Sequence, residues 1–227
     1  MPDDAVATPS GPPAPPPRTM SRASRRTQLI EATIETLAQR GYSRTTLTEV
    51  ARMAGLSHGL VNFHFETKEK LLAETLVHLA EEYYANWTAA LAAAGDHPAQ
   101  RLRAMVEADF NPQICTPAKL SAWCSFWGEA QSRPLYQDRC GANDTAYITT
   151  LTGRCAELLA EGRTPGDPAR IARVIRVTVE GVWLDLMTMS QAYDADEGLA
   201  TVHTCLALCF PRHFAADGAI FGVRASG

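Results

Sequence analysis

Residues Thr45 to Leu72 read Thr-Thr-Leu-Thr-Glu-Val-Ala-Arg-Met-Ala-Gly-Leu-Ser-His-Gly-Leu-Val-Asn-Phe-His-Phe-Glu-Thr-Lys-Glu-Lys-Leu-Leu, and their spacing decides the fold. Thr46 with Glu49 makes a capping box for a short helix in which Leu47, Val50, Ala51 and Ala54 recur at helical spacing. Gly55 ends that helix, because glycine takes the left-handed conformation at little cost. Ser57 then offers its hydroxyl as the cap of a second short helix running toward Phe63. Helix, glycine turn and helix form a helix-turn-helix, whose second helix presents its first residues to the DNA major groove. A plain corner between two helices would account for Gly55 but not for the pattern that continues through Ser57, Gly59, Phe65, Lys68 and Leu71-Leu72.

Working upstream, a first helix is expected from Arg22 or Ser24 to Arg40, with Leu29, Ile30, Thr33, Ile34, Leu37 and Ala38 on one stripe and Gly41 just past its end. These three helices make a compact DNA-binding unit over residues 21–66. In its second short helix His58, Leu60, Asn62 and Phe63 are expected to face DNA and Val61 the core. Asn62 is the candidate base reader, since an amide bonds an adenine edge in bidentate fashion. Thr46, Ser57, His64 and Lys68 are the candidate phosphate-positioning groups.

Position by position, Thr46 through Leu72 resembles the N-terminal DNA-binding domain of TetR-family transcriptional repressors, and Gly59 is carried with the matched motif. The resemblance implies a repressor that is not an enzyme. The chain departs from the commonest pattern of that family, which places aromatic residues, usually Tyr, where Asn62 and His64 stand. That departure bears on the operator sequence and on the phosphate contact at His64.

Formal charge is -4, which taken alone argues against a nucleic-acid binder. Its distribution reverses this: Arg18 to Lys70 carries nine basic residues against five acids, while the chain after Leu72 carries twelve against eighteen. Residues 1–20 contain Gly-Pro-Pro-Ala-Pro-Pro-Pro and are expected as a disordered or polyproline-like tail. The cluster Arg18, Arg22, Arg25 and Arg26 has two readings, an arm along phosphates or the minor groove and a solvated run. No apolar run is long enough to span a bilayer, and the cytoplasm is the expected compartment.

The rest is expected to be helical, giving an all-α fold of about nine helices with no period-two strand. Thr67 caps a long helix to Ala94, roughly 40 Å at 1.5 Å per residue. In repressors of this resemblance that helix is the lever of induction. Further helices begin near Pro98, Pro117, Pro134, Pro168 and Glu197, completing a ligand-binding and dimerisation domain over 67–214, with a tail from 215 to 227.

Trp123, Trp127, Tyr136, Tyr147 and Trp183 make this second domain dense in aromatics. Large aromatics at helical spacing are often core; the sharper reading is a cage for a cation, with Asp109, Glu129, Asp144 or Asp185 adding charge. Trp123-Cys-Ser-Phe-Trp-Gly-Glu-Ala130, Pro134-Leu-Tyr-Gln137 and Glu180-Gly-Val-Trp-Leu184 are similar to the BetI branch of choline-responsive repressors of glycine-betaine synthesis. The resemblance implies a choline-like amine as inducer. It also implies a homodimer through the last two helices, bearing Val174, Ile175, Thr178, Val182, Leu186, Val202, Leu206 and Cys209, on a palindromic operator.

No catalytic motif, metal site or cofactor is expected. Six cysteines at 115, 124, 140, 155, 205 and 209 lack a Cys-x-x-Cys pair and are expected to be reduced. The rival to a choline repressor is a thiol- or metal-responsive sensor on the same fold, for which Cys205, Cys209 and His213 repeat every four residues.

Overall fold

Each helix with a described N-cap starts where a short side chain takes up its free N–H groups. Ser21 caps α1 (Arg22–Arg40), Thr46 caps α2 (Leu47–Ala54), Ser57 caps α3 (His58–Phe65) and Thr67 caps α4 (Lys68–Ala93). His97 caps α5 (Pro98–Ala108), Thr116 caps α6 (Pro117–Gly128) and Asp167 caps α8 (Pro168–Thr188), each with proline in the first turn. Asp194 caps α9 (Ala195–Cys209), and α7 spans Arg133–Gly162. The computed structural model describes residues 21–129, 133–189 and 194–222, and among these there is no strand, only an isolated bridge between Phe214 and Ile220. The expected tail at residues 1–20 lies outside the described residues.

The turn between α2 and α3 follows from Gly55, whose φ of 66° and ψ of 33° are left-handed. Its N–H and that of Leu56 reach back to the carbonyls of Arg52 and Ala51, closing a Schellman motif. A methyl group at Gly55 would meet nothing within 4 Å, so Gly55→Ala should cost only the left-handed strain, about 1–2 kcal/mol by thermal or urea melting. The capping box is half made. Thr46 Oγ1 accepts from Glu49 N at 3.2 Å, but the Glu49 carboxylate goes to Arg52 at 3.0 Å and Arg40 at 3.4 Å instead of returning to Thr46.

Leu29, Ile34, Leu37, Val50, Val61 and Phe65 are buried together and fix α1, α2 and α3 on Leu71 and Leu72 at the start of α4. α1 packs against α6 as well as α2 and α4, while α7 lies against α4, α5 and α8. Residues 215–222, expected as a tail, fold back on the body: Arg103 donates to the Gly218 carbonyl at 3.2 Å and Phe221 N to that of His213 at 2.9 Å. No helix of the described residues is long and apolar enough to cross a membrane.

Candidate DNA-reading face and aromatic cavity

On α3 the side chains divide by helical phase. Val61 and Phe65 are buried, whereas His58, Gly59, Asn62 and Phe63 are exposed and Leu60 is half-buried. Phe63 is 64% exposed, an unusual position for a phenyl ring, and the Arg22 guanidinium lies 5.3 Å from its centroid. An exposed ring beside an amide suits a thymine methyl beside an adenine edge. Ser57 Oγ accepts from Leu60 N at 3.3 Å, holding the first turn of this helix.

Two expected phosphate groups are placed otherwise. His64 is only 6% exposed, its ring lies against Phe63 and Phe65, and its Nδ1 is buried without a hydrogen-bond partner. Burial and the neighbouring Arg22, Arg26 and Arg25 hold it below the ordinary histidine pKa, so the neutral ring serves packing. Lys68 Nζ donates to the carbonyls of Tyr42 and Ser43 at 3.0 and 3.1 Å and sits 5.4 Å from the Tyr42 ring centroid, tying α4 to the turn after α1. Arg22, Arg25 and Arg26 lie within α1 and not in an extended arm, and Arg18 falls outside the described residues. Arg26 bonds the His64 carbonyl, pairs with Glu74 and stacks 4.6 Å from Phe65, joining α1, α3 and α4.

The second feature is a cavity of about 130 Å³ enclosed by α4 to α8. Asp109, Trp123, Trp127, Tyr136, Tyr147 and Trp183 all line it, so the structure brings together the six aromatic and acidic candidates. Trp123 and Trp127 stack with centroids 6.0 Å apart at 26°, and Tyr136 meets Trp123 edge-on at 6.3 Å. Asp144 also lines the cavity, whereas Glu129 and Asp185 do not.

Asp109, the residue that caps the C-terminus of α5, is fully buried there. Its two carboxylate oxygens accept from the hydroxyls of Tyr83 and Tyr147, both at 2.8 Å, and its carbonyl accepts from Trp183 Nε1 at 3.2 Å. One residue thus joins α4, α7 and α8. Burial pushes its carboxyl up to about 7, against the two phenol hydrogen bonds, which favour the charged form. Asp144 and Glu180 are raised as well, mainly by burial, and Arg176 pairs with Glu180 at the same wall. Three acids against one guanidinium leave the lining suited to positive charge.

Residues 29–75 match the family of bacterial regulatory proteins called tetR, and residues 98–211 match the BetI-type transcriptional repressor C-terminal domain. The regulator BetI of Burkholderia thailandensis is 32% identical over 168 residues, 74% of this chain and 84% of that one. The chain belongs to the TetR family.

Within that family it carries a BetI-type C-terminal domain, and it is a DNA-binding transcriptional repressor and not an enzyme. BetI of Paraburkholderia phymatum is 33% identical over 184 residues, 81% of this chain and 91% of its own. A transcriptional regulator from Pseudomonas aeruginosa PAO1 shares the fold with TM-score 0.70 at 24% identity, covering 85% of this chain and 93% of that one. A regulator from Saccharomonospora viridis solved in complex with choline does so with TM-score 0.68 at 19% identity, covering 82% and 96%.

Sequence reasoning missed Tyr83, Arg176, Val179, Glu180 and Ile148 in the cavity wall of this TetR-family repressor. Tyr83 falls on the apolar stripe of α4, and no local pattern reveals that its hydroxyl meets Asp109, 26 positions away. The expected dimer residues are also redistributed. Ile175, Val182, Val202 and Leu206 are buried in the protomer's own core, while Val174, Val177, Leu184 and Leu208 of α8 and α9 are exposed. Among the described residues no group of three or more His, Cys, Asp or Glu is arranged to hold a metal ion, so Cys205, Cys209 and His213 do not converge as ligands.

Proposed function

We infer that this repressor binds a palindromic operator as a homodimer and releases it when a choline-like ammonium cation enters the aromatic cavity. The observation that carries the inducer is Asp109, a fully buried carboxylate facing Trp and Tyr rings. A quaternary ammonium gains cation-π attraction from the rings and charge compensation from the carboxylate, and needs no hydrogen-bond acceptor of its own. The BetI relatives and the choline complex of the structural neighbour support the same chemistry.

The DNA-binding unit is assigned to residues 21–66 and the ligand and dimer unit to 67–214. Thr46, Ser57, His58, Gly59, Leu60, Asn62 and Phe63 form the reading face, with His64 and Lys68 supporting it from behind. Asn62→Ala should cost about 1–3 kcal/mol at one base pair of each half-site and relax preference there. Lys68→Ala should instead lower the melting temperature, because Tyr42 and Ser43 lose their shared donor. Base preference measured on randomised duplexes, alongside thermal melting, separates the two.

The test of the inducer is titration of the protein on DNA from its own upstream region, at fixed salt, with choline, betaine aldehyde and a bulkier hydrophobic cation. Release by choline at concentrations that leave the others inactive supports the reading. Specific DNA binding unmoved by all three discards the inducer and keeps the repressor.

A further inference from the structure

Away from the cavity, α9 ends in a thiol pair that the inducer reading leaves unused. Cys205 and Cys209 lie one turn apart on the last turn of the helix, both half-buried, and are hydrogen-bonded to each other. Cys205 Sγ also lies 3.6 Å from Thr178 Oγ1 on α8, whose own proton goes to the Val174 carbonyl at 2.8 Å. The Cys209 side faces Cys155 of α7, which is fully buried.

The six thiols are not equivalent. Burial pushes Cys115 and Cys124 up, and Cys140 and Cys155 up to about 12, which keeps them protonated and slow to react. In the α9 pair a Cys205 thiolate accepts the S–H of Cys209. That bond lowers the first ionisation, at Cys205, and raises the second, at Cys209. One sulfur is thus the nucleophile and its neighbour the resolving thiol, the arrangement of redox-sensing cysteines.

We propose that Cys205 and Cys209 form a peroxide-oxidised disulfide that reshapes the end of α9 and weakens DNA binding. The Cys205 thiolate attacks one peroxide oxygen; the S–O bond forms, the O–O bond breaks and hydroxide leaves, taking up the proton shed by Cys205. The Cys209 sulfur then attacks the sulfenic sulfur; the S–S bond forms, the S–O bond breaks and water leaves with the Cys209 proton. Two electrons pass from the thiols to hydrogen peroxide, which ends as two waters.

The structural consequence follows from reach. Residues four apart on a helix hold their Cβ atoms about 5–6 Å apart, whereas a disulfide needs about 3.5–4.5 Å, so the last turn must tighten or unwind. It is free to do so, because Cys209 is the final helical residue and Pro211 follows. The same turn carries Leu208, 79% exposed on the face assigned to dimerisation, and precedes the buried Phe210. The effect on DNA binding rests on that dimer assignment and owes nothing to choline.

The test treats the full-length protein with hydrogen peroxide and reads it twice. Mass spectrometry of the tryptic peptide from Val177 to Arg212, which contains both cysteines, should find it lighter by two hydrogens and closed to alkylation until reduced. Affinity for a duplex selected by the reduced protein from a random pool should fall about tenfold, within the usual range of coupling between sites, and return on reduction. Cys209→Ala should keep its affinity after peroxide. A pair still open to alkylation, a cross-link to the Cys155 peptide instead, or a disulfide that leaves DNA affinity unchanged would each overturn the proposal. Because the readout contains no amine, its failure is distinct from failure of the choline reading.

Discussion

Asp109→Asn is expected to weaken binding of choline by about a hundredfold or more while leaving the affinity of the empty protein for DNA nearly unchanged. Each aromatic ring adds about 0.5–2 kcal/mol to a held cation. A carboxylate about 4 Å away adds about 4 kcal/mol at an effective dielectric constant of about 20, so the carboxylate outweighs any single ring. The amide retains an acceptor for one of the two tyrosine hydroxyls and offers a donor to the other, which preserves the junction of α4, α7 and α8. Fluorescence of the cavity tryptophans reads the ligand side and a mobility shift the DNA side. Equal choline affinity in both proteins would remove the carboxylate from the inducer site.

The same residue sets a pH dependence whose sign is fixed by its raised pKa. In the empty protein Asp109 is neutral below about 7 and charged above it. A permanent cation requires the charged form, so apparent affinity should fall toward tenfold per pH unit on the acid side and level off on the alkaline side. Stability of the empty protein runs the other way. The contribution of a buried acid with raised pKa is fully present below the ordinary carboxylate value of 3.8 and is lost as pH rises through about 7. Thermal stabilisation by choline should therefore be largest above pH 7.

Leu208→Asp combined with Leu184→Asp is expected to raise the dimer dissociation constant at least about a hundredfold, since two charges per protomer would have to be dried at the interface. Leu208 is 79% exposed and Leu184 50%, so neither contributes to the protomer core and helicity should be unchanged. Val174, Val177, Leu184 and Leu208 form an apolar face that a second copy would cover. A monomer carries one reading face, and DNA affinity should collapse to the non-specific level. Sedimentation velocity and a mobility shift at matched salt check both halves. A variant that stays dimeric would move the interface elsewhere.

What the sequence made legible was what is local. Thr46, Gly55 and Ser57 act within four residues of themselves, and the structure places their caps and the left-handed turn as the spacing demands. The cavity was half legible: Trp123 and Trp127 share a helix face by arithmetic, but the route by which Tyr83 reaches Asp109 is set by the packing of α4 on α5. Lys68 and His64 show the limit from the other side. Polar residues beside a DNA-reading helix resemble phosphate ligands in sequence, and only the positions of the Tyr42 and Ser43 carbonyls and of the Phe63 and Phe65 rings reveal that both turn inward. On α8, apolar residues occupy two faces. Periodicity alone does not tell that Ile175 serves the protomer's core while Val174 faces outward.

Whether Asp109 meets the inducer as a carboxylate is decided by the proton count on choline binding, by titration calorimetry in buffers of different ionisation enthalpy, about one unit below and one unit above pH 7. Choline carries no titrating group near neutrality, so any proton released comes from the protein. Release of most of one proton is expected on the acid side, almost none on the alkaline side, and none on either side in Asp109→Asn, which separates Asp109 from Asp144 and Glu180. Choline binding with no proton release at the lower pH would contradict a charge-compensating Asp109.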